Sequence, residues 1–134
     1  MTEQFLFDSN VHMDILDLDP NWLDWSRSKV VECSELGTLA INPIIYAEIA
    51  SRFETLAELD DVVLDYERLD LPWEAGFLAS KAFAAYRRRG GTKTSPLPDF
   101  YIGAHALVSN LTLVTRDATR YRTYFPTVKI IAPN

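Results

Sequence analysis

The chain is poor in the residues that carry thiol and imidazole chemistry. Cys33 is its one cysteine, and His12 and His105 are its two histidines, in 134 residues. A single cysteine excludes an internal disulfide and any cysteine-rich zinc site. No stretch of eighteen apolar residues occurs, and no signal-peptide pattern opens the chain, so neither a membrane span nor export is expected. The cytoplasm is the default location. Repeats, linkers and low-complexity tracts are missing too, which leaves one domain of a size that can bury a continuous core. With 48% hydrophobic and 24% charged residues, the composition is that of a folded globular protein and not of a disordered one.

Each half of the chain lacks charge of one sign. Residues 1–75 carry 4 Lys/Arg against 17 Asp/Glu, whereas residues 76–134 carry 9 Lys/Arg against 2 Asp/Glu. A net charge of −6 would by itself argue against nucleic acid as a partner. The basic second half argues the other way. Its two acids, Asp99 and Asp117, sit at the two ends of one apolar segment, where solubilising charge has no reason to concentrate.

That segment is Pro98–Asp117, PDFYIGAHALVSNLTLVTRD. Asp99–Ser109 reads as a helix apolar on most sides, hence packed between other elements. Pro96 and Pro98 suit its start, and Asn110 suits the left-handed residue that ends it. Leu111–Thr115 reads as a short buried strand. Eleven helical residues span roughly 16 Å and five strand residues about 17 Å. The helix therefore runs back along the strand, and Asp99 returns to the end where Asp117 lies. Open α/β sheets bind ligands at this carboxyl end of their strands.

The rest of the chain alternates strands and helices. Gln4–Asp8 is a first strand, with Ser9 and Asn10 as turn and cap residues before a helix at Val11–Leu18. Asn21–Leu36 is a second helix, packed through Trp22, Leu23, Trp25, Val30 and Val31 and closed by Gly37. Leu39–Asn42 is a second strand, and Pro43 opens a helix carrying Glu48 among apolar residues. Leu56–Leu64 is a further helix, and Arg68–Leu71 a weaker third strand. Trp73–Arg89 is an amphipathic helix ending in Arg87, Arg88 and Arg89. After Asp117 a short helix carries Arg120, Tyr121, Tyr124 and Phe125, and Val128–Ile131 is the last of five strands. Such alternation predicts a mostly parallel sheet covered on both faces.

In that sheet Asp8, Glu48, Asp99 and Asp117 converge on one rim. Two carboxylates about 5 Å apart repel by on the order of 3 kcal/mol at an effective dielectric of 20. Either some stay protonated or a cation holds them together. Oxygen donors without a nearby histidine or thiol suit Mg²⁺ or Mn²⁺ and fit zinc poorly. Such an ion activates water and stabilises charge on phosphate, so phosphodiester hydrolysis is the natural reaction class.

FLFDSN near the start, Glu48 in IIYAEIA, PDFYIGAHA, LVTRD and the tail YRTYFPTVKIIAP together resemble the PIN-domain ribonucleases, and among them the bacterial toxins of the VapC type. The resemblance covers nearly the whole chain and is strongest over residues 96–133. It implies a three-layer α/β/α sandwich, one or two Mg²⁺/Mn²⁺ ions, and endonucleolytic cleavage of RNA. It also implies inhibition by a cognate antitoxin that inserts a peptide near the site. Dimers are usual among the proteins it resembles. Asp8, Glu48, Asp99 and Asp117 each fall on a metal-site acid of the family. Asp8 and Asp99 are expected as direct ligands, Asp117 as a ligand or the holder of a coordinated water. Glu48 is expected as a ligand or the group that positions the attacking water. Asn10 and Thr115 are expected to orient the carboxylates. Arg116 is a candidate for the scissile phosphate, and Arg87, Arg88, Arg89 and Lys93 for the RNA backbone.

Duller readings stand beside these. Asp99 alone could be a helix-start acid and Asp8 alone a turn residue. Arg87–Arg89 reads more readily as a solvated helix end than as an RNA contact. Asp14, Asp17, Asp19, Asp60, Asp61 and Asp65 read as exposed charge, and Trp22, Trp25 and Trp73 as core or interface. His105 lies six residues past Asp99, facing away, and neither histidine is assigned to the site. GGTKT follows a helix and not a strand, so it is no phosphate-binding GTPase loop. The remaining rivals are a PIN fold without catalysis, kept for binding or assembly, and a PIN-like nuclease acting on DNA.

Overall fold

Three bulky residues in a row, Phe5, Leu6 and Phe7, divide the molecule into layers. Successive strand side chains point to opposite faces. Phe5 and Phe7 join one buried cluster with Val11, Cys33, Leu39 and Val114, and Leu6 joins the other with Ala40, Ile41, Ile45, Phe100, Ile102 and Leu113. Burying each of these large side chains contributes about 2 kcal/mol. The sheet is thus apolar on both faces, as a parallel sheet must be.

The computed structural model describes residues 3–134. Along the chain run β1 (Glu3–Phe7), α1 (Ser9–Leu16), α2 (Leu23–Leu36), β2 (Gly37–Ile41), α3 (Pro43–Ala50), α4 (Leu56–Val62), β3 (Glu67–Arg68), α5 (Trp73–Arg88), α6 (Pro98–Val108), β4 (Thr112–Val114), α7 (Thr119–Tyr124) and β5 (Ile130–Ile131). The five strands form one sheet in the order β3-β2-β1-β4-β5, with every pairing parallel. Phe5 pairs with Leu39 on one side and Thr112 on the other, which makes β1 the central strand. Helices α1 and α2 supply one face, and α3 to α7 supply residues to the other. This is the expected three-layer α/β arrangement. No helix among the described residues is long and apolar enough to cross a membrane.

The organising segment folds as its pattern predicts. In α6, Phe100, Ile102, Gly103, Ala104, His105 and Ala106 are all buried, and Asn110 takes the left-handed conformation at φ 54°. Gly103 is required by packing: a Cβ there would run into the Phe125 ring. Gly103→Ala should therefore destabilise the fold by about 1 kcal/mol, the overpacking cost outweighing the better helix propensity of alanine. Urea unfolding measures this, and a stabilised variant would show that Phe125 has room to move.

Several boundaries shift. Asp8 and Asn42, expected to end strands, instead cap the helices that follow. Asp8 accepts from the Ser9 amide, Asn42 from the Ile45 amide, and Ser9 and Asn10 lie inside α1. A polar residue after an apolar strand satisfies either role, and the orphan amides of the helix decide it. The helix expected from Asn21 begins at Leu23, and the outer strands β3 and β5 shrink to two residues each. Val31 is exposed, its place in the core taken by Ser26 and Cys33. Trp73 is 95% exposed at the start of α5, so it belongs to no core. Asp14 is not exposed charge: it is buried.

Candidate active site

Parallel strands deliver their carboxyl ends to one rim, and the predicted acids follow. Asp8 leaves the central strand β1. It is 4% exposed, and its carboxylate accepts the Ser9 amide at 2.8 Å, the Thr115 hydroxyl at 2.9 Å and the Tyr121 hydroxyl at 2.8 Å. Glu48 sits on α3, after β2, and accepts the Ser9 hydroxyl at 3.0 Å. Asp99 lies in the first turn of α6, where Arg120 Nη1 donates to its Oδ2 at 3.0 Å and the Tyr121 hydroxyl oxygen lies 3.3 Å from its Oδ1. One phenol oxygen thus touches two carboxylates. It has one proton, and the shorter contact gives that proton to Asp8.

The three acids feel one another. Burial pushes the Asp8 carboxyl above its ordinary range, the Tyr121 hydrogen bond pulls it back, and the charge of Asp99 raises it again. Burial also raises Glu48, against the Ser9 hydrogen bond, and the charges of Asp8 and Asp99 add to the rise. Burial and the charges of Asp8 and Asp99 hold the Tyr121 phenol far above its usual value, so it stays a donor.

Asp117 stands apart from this trio. It is exposed, and its carboxylate accepts from the Thr119 amide at 3.3 Å. It shares with Asp99 an open cleft of about 470 Å³, lined also by Tyr86, Thr119, Arg120, Thr123 and Tyr124. The structure thus brings Asp8, Glu48 and Asp99 near one another, and Asp117 joins Asp99 in lining the cleft.

Thr115 contacts the Asp8 carboxylate directly, and Asn10 reaches it only through Thr115. Thr115 Oγ1 bonds to Asp8 and accepts Asn10 Nδ2 at 3.1 Å and the Asp117 amide at 3.2 Å. Asn10 Oδ1 accepts the Arg116 amide at 3.0 Å. This chain ties α1 to the loop after β4 and fixes two of the acids together. Arg116 itself is engaged elsewhere. Its guanidinium donates to both oxygens of the buried Asp14, at 2.8 and 3.0 Å, and lies over the Trp22 ring. Arg87 donates to the Gly91 and Lys93 carbonyls and shapes the loop after α5. Arg89 lies over Tyr124 at the cleft wall, and Arg88 and Lys93 are exposed.

Four participants were not foreseen: Ser9, Asp14, Arg120 and Tyr121. Tyr121 and Arg120 had a signal. They follow Asp117 by four and three residues on a helix that starts at the rim, so its first turn must face the acids.

The donor set at the rim is all oxygen, which fits a hard divalent cation. Among the described residues no three of these groups stand close enough to hold an ion in this arrangement. The Tyr121 hydroxyl lies between Asp8 and Asp99, and Arg120 covers Asp99.

The PIN domain model matches residues 5–126. The chain belongs to the PIN domain family. PIN-domain nucleases generally use divalent metals, in keeping with the donor set. The PIN fold here is similar to solved structures across its whole length. One is VapBC2 from Rickettsia felis bound to a DNA fragment from their promoter, with a TM-score of 0.73 at 17% identity, covering 98% of this chain and 99% of that one. Another is DNA-bound VapBC from Salmonella typhimurium, with 0.72 at 22% identity and 98% of each chain. A third is a toxin–antitoxin complex from Klebsiella pneumoniae, with 0.65 at 17% identity, covering 96% of this chain and 97% of that one. The comparison with curated protein sequences gives no match.

Proposed function

We propose that this PIN domain is a metal-dependent endoribonuclease of the VapC type, the toxin of a toxin–antitoxin pair. The observation that carries the reading is the meeting of Asp8, Glu48 and Asp99 at one rim, with Asp117 sharing the cleft of Asp99. Family membership and the likeness to VapBC chains support it.

Bound Mg²⁺ or Mn²⁺ would supply Lewis-acid activation of water and charge stabilisation at the phosphate. Asp8 and Asp99 are the ligands of this reading. Asp117 lines the same cleft as Asp99, as a further ligand or a water acceptor. Glu48 has one oxygen on Ser9 and the other to give, to the ion or to the attacking water. Ser9 holds Glu48 and Thr115 holds Asp8, with Asn10 bracing Thr115, while Tyr121 and Arg120 shift as an ion enters. The substrate is RNA, drawn in by the basic second half of the chain, where Arg88, Arg89 and Lys93 are exposed and Arg89 lies over Tyr124 of the cleft. A small antitoxin is the partner, its peptide lying over this same rim.

The test is direct. With Mn²⁺ or Mg²⁺ the purified protein should cut single-stranded RNA and leave a DNA of matched sequence intact, and a chelator should stop cutting. Equal cutting of DNA would make it a general PIN-like nuclease. A folded protein that binds no divalent ion and cuts neither would be a binding module.

A further inference from the structure

Six arginines lie in the second half of the chain, and Arg88 and Arg122 among them are exposed. Arg116 is clamped to Asp14 through two nitrogens. Arg87 holds loop carbonyls, Arg89 rests on Tyr124, and Arg122 points to solvent. Arg120 alone touches a carboxylate of the rim, at 3.0 Å from Asp99 Oδ2. Its side chain is 40% exposed, and the guanidinium lies 6.0 Å over the Phe100 ring. Both sides of this ion pair open into the cleft shared with Asp117, Thr119 and Thr123.

We propose that Arg120 is a phosphate-binding catalytic residue held in reserve: its guanidinium exchanges the Asp99 carboxylate for a phosphate of the RNA when a divalent ion takes Asp99. The inference rests on the nuclease reading and adds to it a residue that no part of that reading requires. A divalent ion on Asp99 competes with the guanidinium for the same negative charge. A divalent ion outbids a half-exposed guanidinium there, because such an ion pair is weak. The released head stays near, since the residue sits on α7 beside the cleft that Asp99 lines. The cleft it faces has the threonine hydroxyls and open mouth that a polar, extended ligand needs. A guanidinium fork also matches two phosphate oxygens, which an ammonium does not. Arg116, the sequence's own candidate, cannot take this role without leaving a buried carboxylate unpaired.

The signature is a pair of effects with opposite signs. In Arg120→Ala, Mn²⁺ binding to the RNA-free protein, read by titration calorimetry, should tighten about two- to fivefold as the competing cation goes. KM for a single-stranded RNA oligonucleotide should rise about tenfold in the same variant, with kcat lowered. Arg120→Lys should keep Mn²⁺ affinity near native and recover part of the RNA effect. Arg122→Ala, which removes the same charge two residues away, should move neither by more than about twofold. Weaker Mn²⁺ binding in Arg120→Ala would mean that the arginine only orients Asp99, and the proposal falls. It falls as well if KM matches that of Arg122→Ala while the native protein cuts RNA. A native protein that binds Mn²⁺ but cuts no RNA would overturn the nuclease reading itself, and the phosphate role with it.

Discussion

Asp8→Asn should lower RNA cleavage by on the order of a thousandfold or more without loosening the fold. The substitution keeps the shape of a 4% exposed side chain and an oxygen that accepts the Ser9 amide. The new amide nitrogen faces the hydroxyls of Thr115 and Tyr121; Tyr121 can turn its proton to Asp99 and accept it, while Thr115 already accepts from Asn10 and the Asp117 amide. What disappears is a buried carboxylate that burial raises first, and whose charge adds to the burial that raises Glu48. In metal-free buffer the melting temperature should therefore stay level or rise. The native protein should gain stability on adding Mn²⁺, by the ordinary linkage of a ligand that binds only the folded state, and the variant should gain little. Differential scanning fluorimetry with and without Mn²⁺, beside a cleavage assay, reads all three outcomes. A variant that melts lower and still responds to Mn²⁺ would show that Asp8 holds the fold and not the ion.

The parts of this molecule that were legible in sequence are those encoded locally. The apolar run of α6, its proline start and Asn110 each state a backbone preference within a few residues, and the fold obeys them. Once the strands are parallel, the rim follows from chain direction; Asp8, Glu48 and Asp99 lie near one another there, whereas the exposed Asp117 after β4 stands apart from them. The partners of those acids were another matter. Asp14 lies in an acidic stretch with Asp17 and Asp19, and nothing in that stretch marks it as the one that is buried. Its partner Arg116 lies far along the chain, and Ser26 donates to it from α2. Tyr121 reads as one more aromatic on the apolar face it shares with Phe125. Only the tertiary fold shows its hydroxyl reaching Asp8. Pairings of this kind depend on register between elements, which local periodicity does not carry. The two-residue outer strands fail for the same reason, since edge pairing there is supplied by a neighbour and not by intrinsic propensity.

Acid should weaken the protein through His12. Its ring is buried, its Nε2 lies 3.2 Å from the Phe7 carbonyl, and its edges meet the rings of Phe7 and Tyr66. The carbonyl only accepts, so Nε2 carries the proton and the neutral ring satisfies the contact. Burial pulls the imidazole from its ordinary 6.5 down to about 4. An unfolded chain takes up that proton near 6.5, so between these values the unfolded state binds more protons than the folded one. The contribution is complete above 6.5 and is lost as pH falls toward 4, amounting to about 2 kcal/mol between pH 7 and pH 5. His105 shifts the same way by burial, with Asn42 Nδ2 donating to its Nδ1 at 3.0 Å. Asp8 and Glu48 act in the opposite sense, because their raised folded values favour the folded state as protons are added. A comparison of slopes isolates the imidazole from these. His12→Gln keeps an N–H for the Phe7 carbonyl and cannot titrate. Whatever its starting stability, urea unfolding should show the native protein losing about 2 kcal/mol more than the variant from pH 7 to pH 5. Parallel slopes would mean that His12 is protonated in the folded protein as readily as in the open chain.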